Sequence, residues 1–229
     1  MSIRRAMLVL AVASAALLLL GLMVAVLRIE SGKTFNDLTW RFDLSGDSTV
    51  PTWFSAAMLA FAGLAFLGIG RSEAPAGQPI APGWWGLGSV CLLMSVDEVA
   101  TFHEWTGTLL EADSSGLLTY TWVLFGAAVL VALVVAFWRF VRLQPAPFRR
   151  RFLVAAVVYF TGALVVEMIN GSIEDSVGAE SLRYVAGTFV EEGLEFAGVL
   201  LLLHALLERL RADGATFVLT VRDAPGPKP

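Results

Sequence analysis

Long apolar runs separated by short polar connections make up most of this chain. The hydrocarbon core of a bilayer is about 30 Å thick, so one helical crossing needs roughly 20 apolar residues. Six segments reach or approach that length: 6–27, 51–70, 84–110, 117–138, 152–170 and 184–207. The pattern therefore predicts an all-α, polytopic membrane protein built as a bundle of six transmembrane helices.

The charges in the connections predict how such a bundle would be oriented. Cytoplasmic loops of membrane proteins carry an excess of Lys and Arg. With the N-terminus inside, twelve of the 16 Lys and Arg residues fall on the cytoplasmic side and four on the outer side. We therefore expect both termini in the cytoplasm, with residues 1–210 as the six-helix transmembrane domain and residues 211–229 as a flexible cytoplasmic tail.

The overall composition agrees with this class and narrows the chemistry. The chain is 57% hydrophobic and 16% charged, which is typical of a multi-pass membrane protein and unusual for a soluble domain. A net charge of −4 gives no reason to expect nucleic acid as a partner, whereas the lipid bilayer is expected. With one Cys and two His, a Cys-based metal site is not expected, and a three-histidine zinc site within one chain is impossible.

Acidic residues interrupt three of the six apolar segments, and the first group lies in "SVDEVATFHEW" (95–105). If this stretch is one regular helix, Asp97, Thr101 and Glu104 fall within about 60° of one another and form a polar stripe. Glu98 and His103 flank that stripe on opposite sides. The third segment thus predicts a set of charged side chains inside the membrane.

The fifth and sixth segments carry the other two groups. Glu167 lies in "VVEMINGSIED" (165–175), and Glu191 and Glu195 lie in "GTFVEEGLEFAG" (187–198), about 40° apart on one helix face. Glu192 lies about 100° from Glu191 and is expected to point elsewhere. A rise of 1.5 Å per residue places the acids of all three segments in the outer half of the membrane.

These acids need positive partners, because a charged side chain at the centre of a bilayer costs at least about 2.5–3.5 kcal/mol. The six segments supply no Lys or Arg at that depth, so protons, bound cations or water must compensate the charge. The candidate ligands of a cation are seven residues: Asp97, Glu98, His103, Glu104, Glu167, Glu191 and Glu195.

Carboxylates and an imidazole on facing helices suit a divalent transition metal, and two such ions can share bridging carboxylates inside a helix bundle. We therefore expect a site for iron, manganese or zinc, with one or two ions. A metal-dependent oxidoreductase or hydrolase that acts on a lipid or a periplasmic small molecule would use such a site. The Glu-x-x-His pair typical of ferritin-like sites is absent, because Ala100 precedes His103 by three residues.

Two other interpretations fit the same pattern. The acids could bind protons or cations in a coupled transporter or channel. They could also be protonated and hydrogen-bonded to Thr, Asn and Tyr side chains, in a structural membrane subunit without enzymatic activity. The sequence leaves all three interpretations open.

Three stretches together carry a resemblance: "STVPTWFSA" (48–56), "MSVDEVATFHEW" (94–105) and "FVEEGLEFAG" (189–198). The chain resembles a group of uncharacterised bacterial multi-pass membrane proteins that share these features. The resemblance implies a bacterial source, and hence the inner (cytoplasmic) membrane, but no reaction. The loop "FNDLTWRFDLSGD" (35–47), which precedes the first stretch, is expected to fold over the acidic cluster as a lid.

Overall fold

The computed structural model describes residues 2–31, 40–73, 81–108, 115–212 and 214. The helices are α1 (Ile3–Ser31), α2 (Val50–Glu73), α3 (Ala81–Ala100), α4 (Phe102–Thr108), α5 (Trp122–Leu143), α6 (Ala146–Phe160), α7 (Glu167–Val177) and α8 (Leu182–Ala212). A π-helical segment, Thr161–Val166, joins α6 to α7, and a 3₁₀ turn, Gly116–Leu118, precedes α5. The described residues contain no strand, so the all-α prediction is confirmed for them.

Several of these helices are compatible with a membrane. Four of the described helices are long and apolar enough to cross a bilayer: α1, α2, α5 and the continuous helix from α6 through α7. The count becomes five if the bent pair α3–α4 is one span. The sixth predicted crossing, α8, has 31 residues, or about 46 Å, but its central acids make it too polar to qualify on composition.

The surface of the bundle supports the same conclusion. Leu8 and Val12 on α1, and Val131 and Val135 on α5, are each at least 60% exposed. Soluble monomers rarely expose contiguous apolar surface beyond a few hundred Å². The exposed side chains of α1 and α5 are therefore suited to contact with hydrocarbon.

The bundle is held together mainly by α2, α3, α6 and α8. Their buried side chains form one apolar cluster that includes Phe66, Trp84, Phe196 and Leu206. The close approach of α2 and α3 depends on two glycines, since a Cβ on Gly63 would lie 2.9 Å from the Gly88 carbonyl oxygen. Helices can approach this closely only where small residues meet.

One end of the bundle is closed by a salt bridge beneath the core. Arg209 of α8 donates to Glu73 of α2 over 2.8 Å, and the indole of Trp84 donates to the other Glu73 oxygen over 2.9 Å. The Arg209 guanidinium also lies 5.8 Å from the Trp84 ring centroid. This end contains the last turn of α2 and the first turn of α3, and the acidic residues of interest lie toward the opposite end.

Candidate functional site

The third predicted crossing is broken within its acidic stretch. Helix α3 ends at Ala100, Thr101 adopts a left-handed conformation with φ of 51°, and α4 leaves at an angle of 71°. The expectation of one continuous helix over 84–110 is therefore wrong, and residues 109 and 110 lie outside the described residues. A β-branched residue at positive φ is strained, so the surrounding structure must hold the bend in place.

Asp97 is the residue that holds the bend. Its Oδ1 accepts a hydrogen bond of 2.9 Å from the backbone N–H of His103, and its Oδ2 lies 2.8 Å from the His103 Nδ1. The first contact satisfies a free N–H in the first turn of α4, as a capping side chain does. Both oxygens of Asp97 are engaged, so this residue orients His103 and leaves the imidazole Nε2 available for other partners.

The bend also separates Glu104 from Asp97, which a regular helix would have placed on the same face. The His103 ring packs on Trp122 of α5, with the ring centroids 4.5 Å apart, and it lines a cavity inside the bundle. Glu104 is exposed and does not contribute to that cavity. The stripe predicted from Asp97 through Glu104 is therefore not a single face of one helix.

The π-helical segment changes the direction of Glu167 in the fifth predicted crossing. A π turn accommodates one extra residue, which rotates everything after it by about 100° around the helix axis. Gly162 lies within this segment and packs against α8, where a Cβ would be 2.8 Å from the Glu191 carbonyl oxygen. The segment thus brings the chain close to α8 just before Glu167.

Glu167 and the acids of α8 meet around the cavity. The side chains of Glu167, Glu191 and Glu195 all line it, together with Tyr159 of α6. Ionised carboxylates can only accept hydrogen bonds, so these side chains cannot compensate one another's charge.

Glu192 is a residue of the site that the sequence analysis missed. It lines the same cavity as Glu191 and Glu195 of its own helix and Glu98 of α3. No hydrogen bond to its carboxylate occurs among the described residues. A helical wheel directs Glu192 away from Glu191, but the cavity is wide enough for two sides of α8 to face it.

The cavity has a volume of about 610 Å³. Seven carboxyl groups line it: Asp47, Asp97, Glu98, Glu167, Glu191, Glu192 and Glu195. The described residues around it include no Lys or Arg, and His103 is the one basic side chain among them. Six of the seven candidate residues thus face one space, with Glu104 as the exception.

Within the described part of the chain, no three His, Cys, Asp or Glu side chains are grouped closely enough to hold a metal ion as they stand.

The described part of the predicted lid contributes to this cavity, since residues 44–47 line it. The loop is fixed by the buried Asp43, which forms an ion pair with Arg28 of α1. The same carboxylate accepts hydrogen bonds from the backbone N–H of Ser45 (3.1 Å) and from its hydroxyl (2.9 Å). Residues 35–39 of the predicted lid lie outside the described residues.

A tyrosine just before α5 forms another part of the cavity wall. The Tyr120 hydroxyl donates a hydrogen bond to Glu174 of α7 and lies 3.4 Å from the Tyr184 hydroxyl of α8. Burial, followed by these hydrogen bonds, raises the pKa of the Tyr120 phenol well above its usual range. The phenol therefore stays protonated and continues to donate to Glu174 at neutral pH.

The comparison with protein families gives one match that covers most of the chain. Residues 6–210 match the family model described as "Domain of unknown function (DUF8692)", and the chain belongs to this family. The matched range contains every carboxyl group around the cavity. No curated protein and no solved structure matches the chain. The family carries no assigned activity, so the function has to be argued from the site.

Proposed function

We propose that the protein is an integral membrane protein with six crossings, in which α8 is the sixth. Helix α8 is long enough to span the bilayer, and its three central acids face the cavity inside the bundle, which removes the main objection to a membrane location. The distribution of Lys and Arg supports an inner-membrane protein with both termini in the cytoplasm.

We further propose that the cavity binds a divalent metal ion. The observation that carries this proposal is the excess of seven carboxyl groups over one imidazole in a space without Lys or Arg among the described residues. Carboxylates with one imidazole suit iron, manganese or zinc.

The arrangement of Asp97 and His103 supports a particular role for each. Metal-binding histidines commonly donate their second ring N–H to a carboxylate, which fixes the tautomer and the ring orientation. In this protein Asp97 is the carboxylate, at 2.8 Å from Nδ1, so Nε2 would face the metal. The metal ligands would then be His103, Glu98, Glu192 and Glu195. Because these side chains are not grouped as they stand, binding requires the glutamates to rotate toward the ion.

The size of the cavity extends the proposal to catalysis. A volume of about 610 Å³ falls within the range of small-molecule sites and is far larger than an ion requires. We propose a metal-dependent oxidoreductase or hydrolase whose substrate reaches this cavity. The metal would polarise a substrate oxygen or lower the pKa of a water molecule. His103 would position the metal, and the glutamates would balance its charge.

Elemental analysis of detergent-purified protein tests the metal proposal. Wild-type protein should hold a stoichiometric transition metal, Glu195→Gln should lose most of it, and Glu104→Gln should keep it because Glu104 is exposed outside the cavity. Equal metal contents in the two variants would contradict the assignment. Metal-free protein that conducts protons or cations in liposomes would support a transporter, and metal-free, flux-free protein that stays folded would support a structural subunit.

A further inference from the structure

Helices α3 and α5 touch at both ends and separate in between. At one end, Gly83 packs on Phe140 and Gly86 on Phe137, where added Cβ atoms would lie 2.1 and 2.7 Å from the rings. At the other end, the bent extension α4 meets the start of α5, and the Thr121 hydroxyl donates to the Gly107 carbonyl over 2.9 Å. The space between these two contacts is a gap in the wall of the bundle.

The side chains along this gap line the cavity and are also exposed on the outside. Leu93 of α3 is 69% exposed, and Val129 of α5 is 39% exposed, although both belong to the cavity wall. A residue can do both only where the cavity opens to the surface. We call this opening, between Leu93 and Val129, the lateral window. In a membrane-embedded bundle it faces hydrocarbon.

A second cavity of about 170 Å³ adjoins the acidic one and has almost entirely apolar walls. The two cavities share six lining residues: Val90, Met94, Leu130, Leu133, Tyr159 and Phe160. An apolar cavity of about 150 Å³ stays dry and accepts a hydrocarbon guest such as benzene. The combined space therefore has a carboxylate-rich part and an apolar part that suits a hydrocarbon chain.

The charge of the cavity selects the head group of a molecule that would fill this space. Asp97 is engaged with His103, which leaves six carboxyl groups. Two divalent ions would compensate four of them, so the cavity favours additional positive charge even with metal bound. An anionic head group, as in a fatty acid, would be repelled.

We infer that the occupant is a single-chain amphiphile with a positively charged amine head group, which enters from the bilayer through the lateral window. Its ammonium group lies beside Glu167 and Glu191, which the proposed metal does not use, and its chain occupies the apolar cavity lined by Tyr159. This inference rests on the proposed membrane location and negative cavity, and it names the substrate class for the proposed enzyme.

Photo-crosslinking in vesicles tests the inference. The probes are a long-chain alkylamine and the fatty acid of equal length, each with a diazirine in the chain, and mass spectrometry locates the labelled peptides. The amine should label the peptides that carry Met94 and Tyr159 at least about tenfold more than the fatty acid does, which equals about 1.4 kcal/mol. Both probes should label the lipid-facing surface of α5 equally.

A pair of matched variants on α5 tests the route. Val129→Trp narrows the window and should reduce amine labelling inside the cavity, whereas Val131→Trp, at a 63% exposed position outside the cavity wall, should not. Glu191→Gln, which leaves the proposed metal ligands intact, should reduce the preference for the amine without closing the window. Equal cavity labelling in the two Trp variants, or no preference for the amine, would overturn the inference.

Metal analysis of the same preparations separates this inference from the proposed function. Protein without metal that still shows window-dependent amine labelling would refute the metal proposal and support the amphiphile. Protein with stoichiometric metal and equal labelling by the two probes would support the metal proposal and overturn the amphiphile.

Discussion

Replacing Gly187 with Ala should destabilise the contact between α7 and α8 and thereby disturb the acidic cavity. A Cβ at position 187 would lie 1.9 Å from the side-chain amide of Asn170 and 2.5 Å from its Cγ. Asn170 is 2% exposed, is hydrogen-bonded to Thr188 at 3.0 Å, and approaches the Glu191 carboxylate at 3.4 Å. The amide cannot stay in place, and it has no solvent to move into.

The expected change in the free energy of unfolding combines two destabilising effects with one stabilising effect. Overpacking costs about 1–3 kcal/mol, and a buried hydrogen bond lost without replacement costs about 1–3 kcal/mol. The change from Gly to Ala within a helix returns about 1 kcal/mol. We expect a net loss of about 1–5 kcal/mol, or roughly 2–20 °C in the unfolding midpoint for a chain of this size.

Tryptophan fluorescence during heating in detergent, at one scan rate, measures this loss. Gly193→Ala on the same helix is the matched control, because the nearest atom to its added Cβ is Leu18 Cδ1 at 3.9 Å. The control should match or slightly exceed wild type. Asn170→Ala should remove the clash, so the cost of Gly187→Ala should be much smaller in that background. Equal midpoints for Gly187→Ala and Gly193→Ala, or additive costs in the double variant, would refute this reasoning.

Three further predictions concern the bend and the outer wall of the cavity. Asp97→Asn should weaken metal binding about 10–100-fold through His103, as loss of an orienting carboxylate does, whereas Glu104→Gln should change it little in the same competition titration. Thr101→Gly should raise the unfolding midpoint, because glycine adopts the left-handed conformation without the strain of about 1 kcal/mol that threonine carries. The pKa of Tyr120 is raised in the folded state, so its contribution to stability is present below a pH of about 10 and is lost as the pH rises further. Above that pH, Tyr120→Phe should lose stability less steeply than wild type in denaturant titrations.

The helical architecture could be predicted from the sequence because it depends on long-range averages. Runs of apolar residues predict α1 and α2 to within about four residues at each end. Helix α5 lies five residues later than predicted, and the continuous helix Ala146–Val177 extends six and seven residues beyond the predicted fifth segment. The helix assignments also put the acidic residues on three separate helices, α3, α7 and α8. These predictions needed only composition and helical periodicity, which survive local irregularities.

The geometry of the site could not be predicted in the same way, because it depends on local departures from a regular helix. The bend at Thr101 has no Gly or Pro beside it that would predict a break in the helix, and it is held by the Asp97 side chain. The π-helical segment before Glu167 changes the helix phase without any marker in the sequence. Glu192 was missed because a helical wheel assumes a narrow interface, whereas the cavity is wide.

The central claim is that acids from three separate helices face one cavity and share its cations. Equilibrium binding of Mn²⁺ to purified protein tests it with one substitution on each helix: Glu98→Gln on α3, Glu167→Gln on α7 and Glu195→Gln on α8. The account predicts at least about tenfold weaker Mn²⁺ binding for Glu98→Gln and Glu195→Gln, which remove ligands. It predicts a smaller loss for Glu167→Gln, which removes a negative charge from the cavity wall, and no loss for Glu104→Gln. Unchanged affinity in all three variants, or an effect confined to one helix, would contradict it.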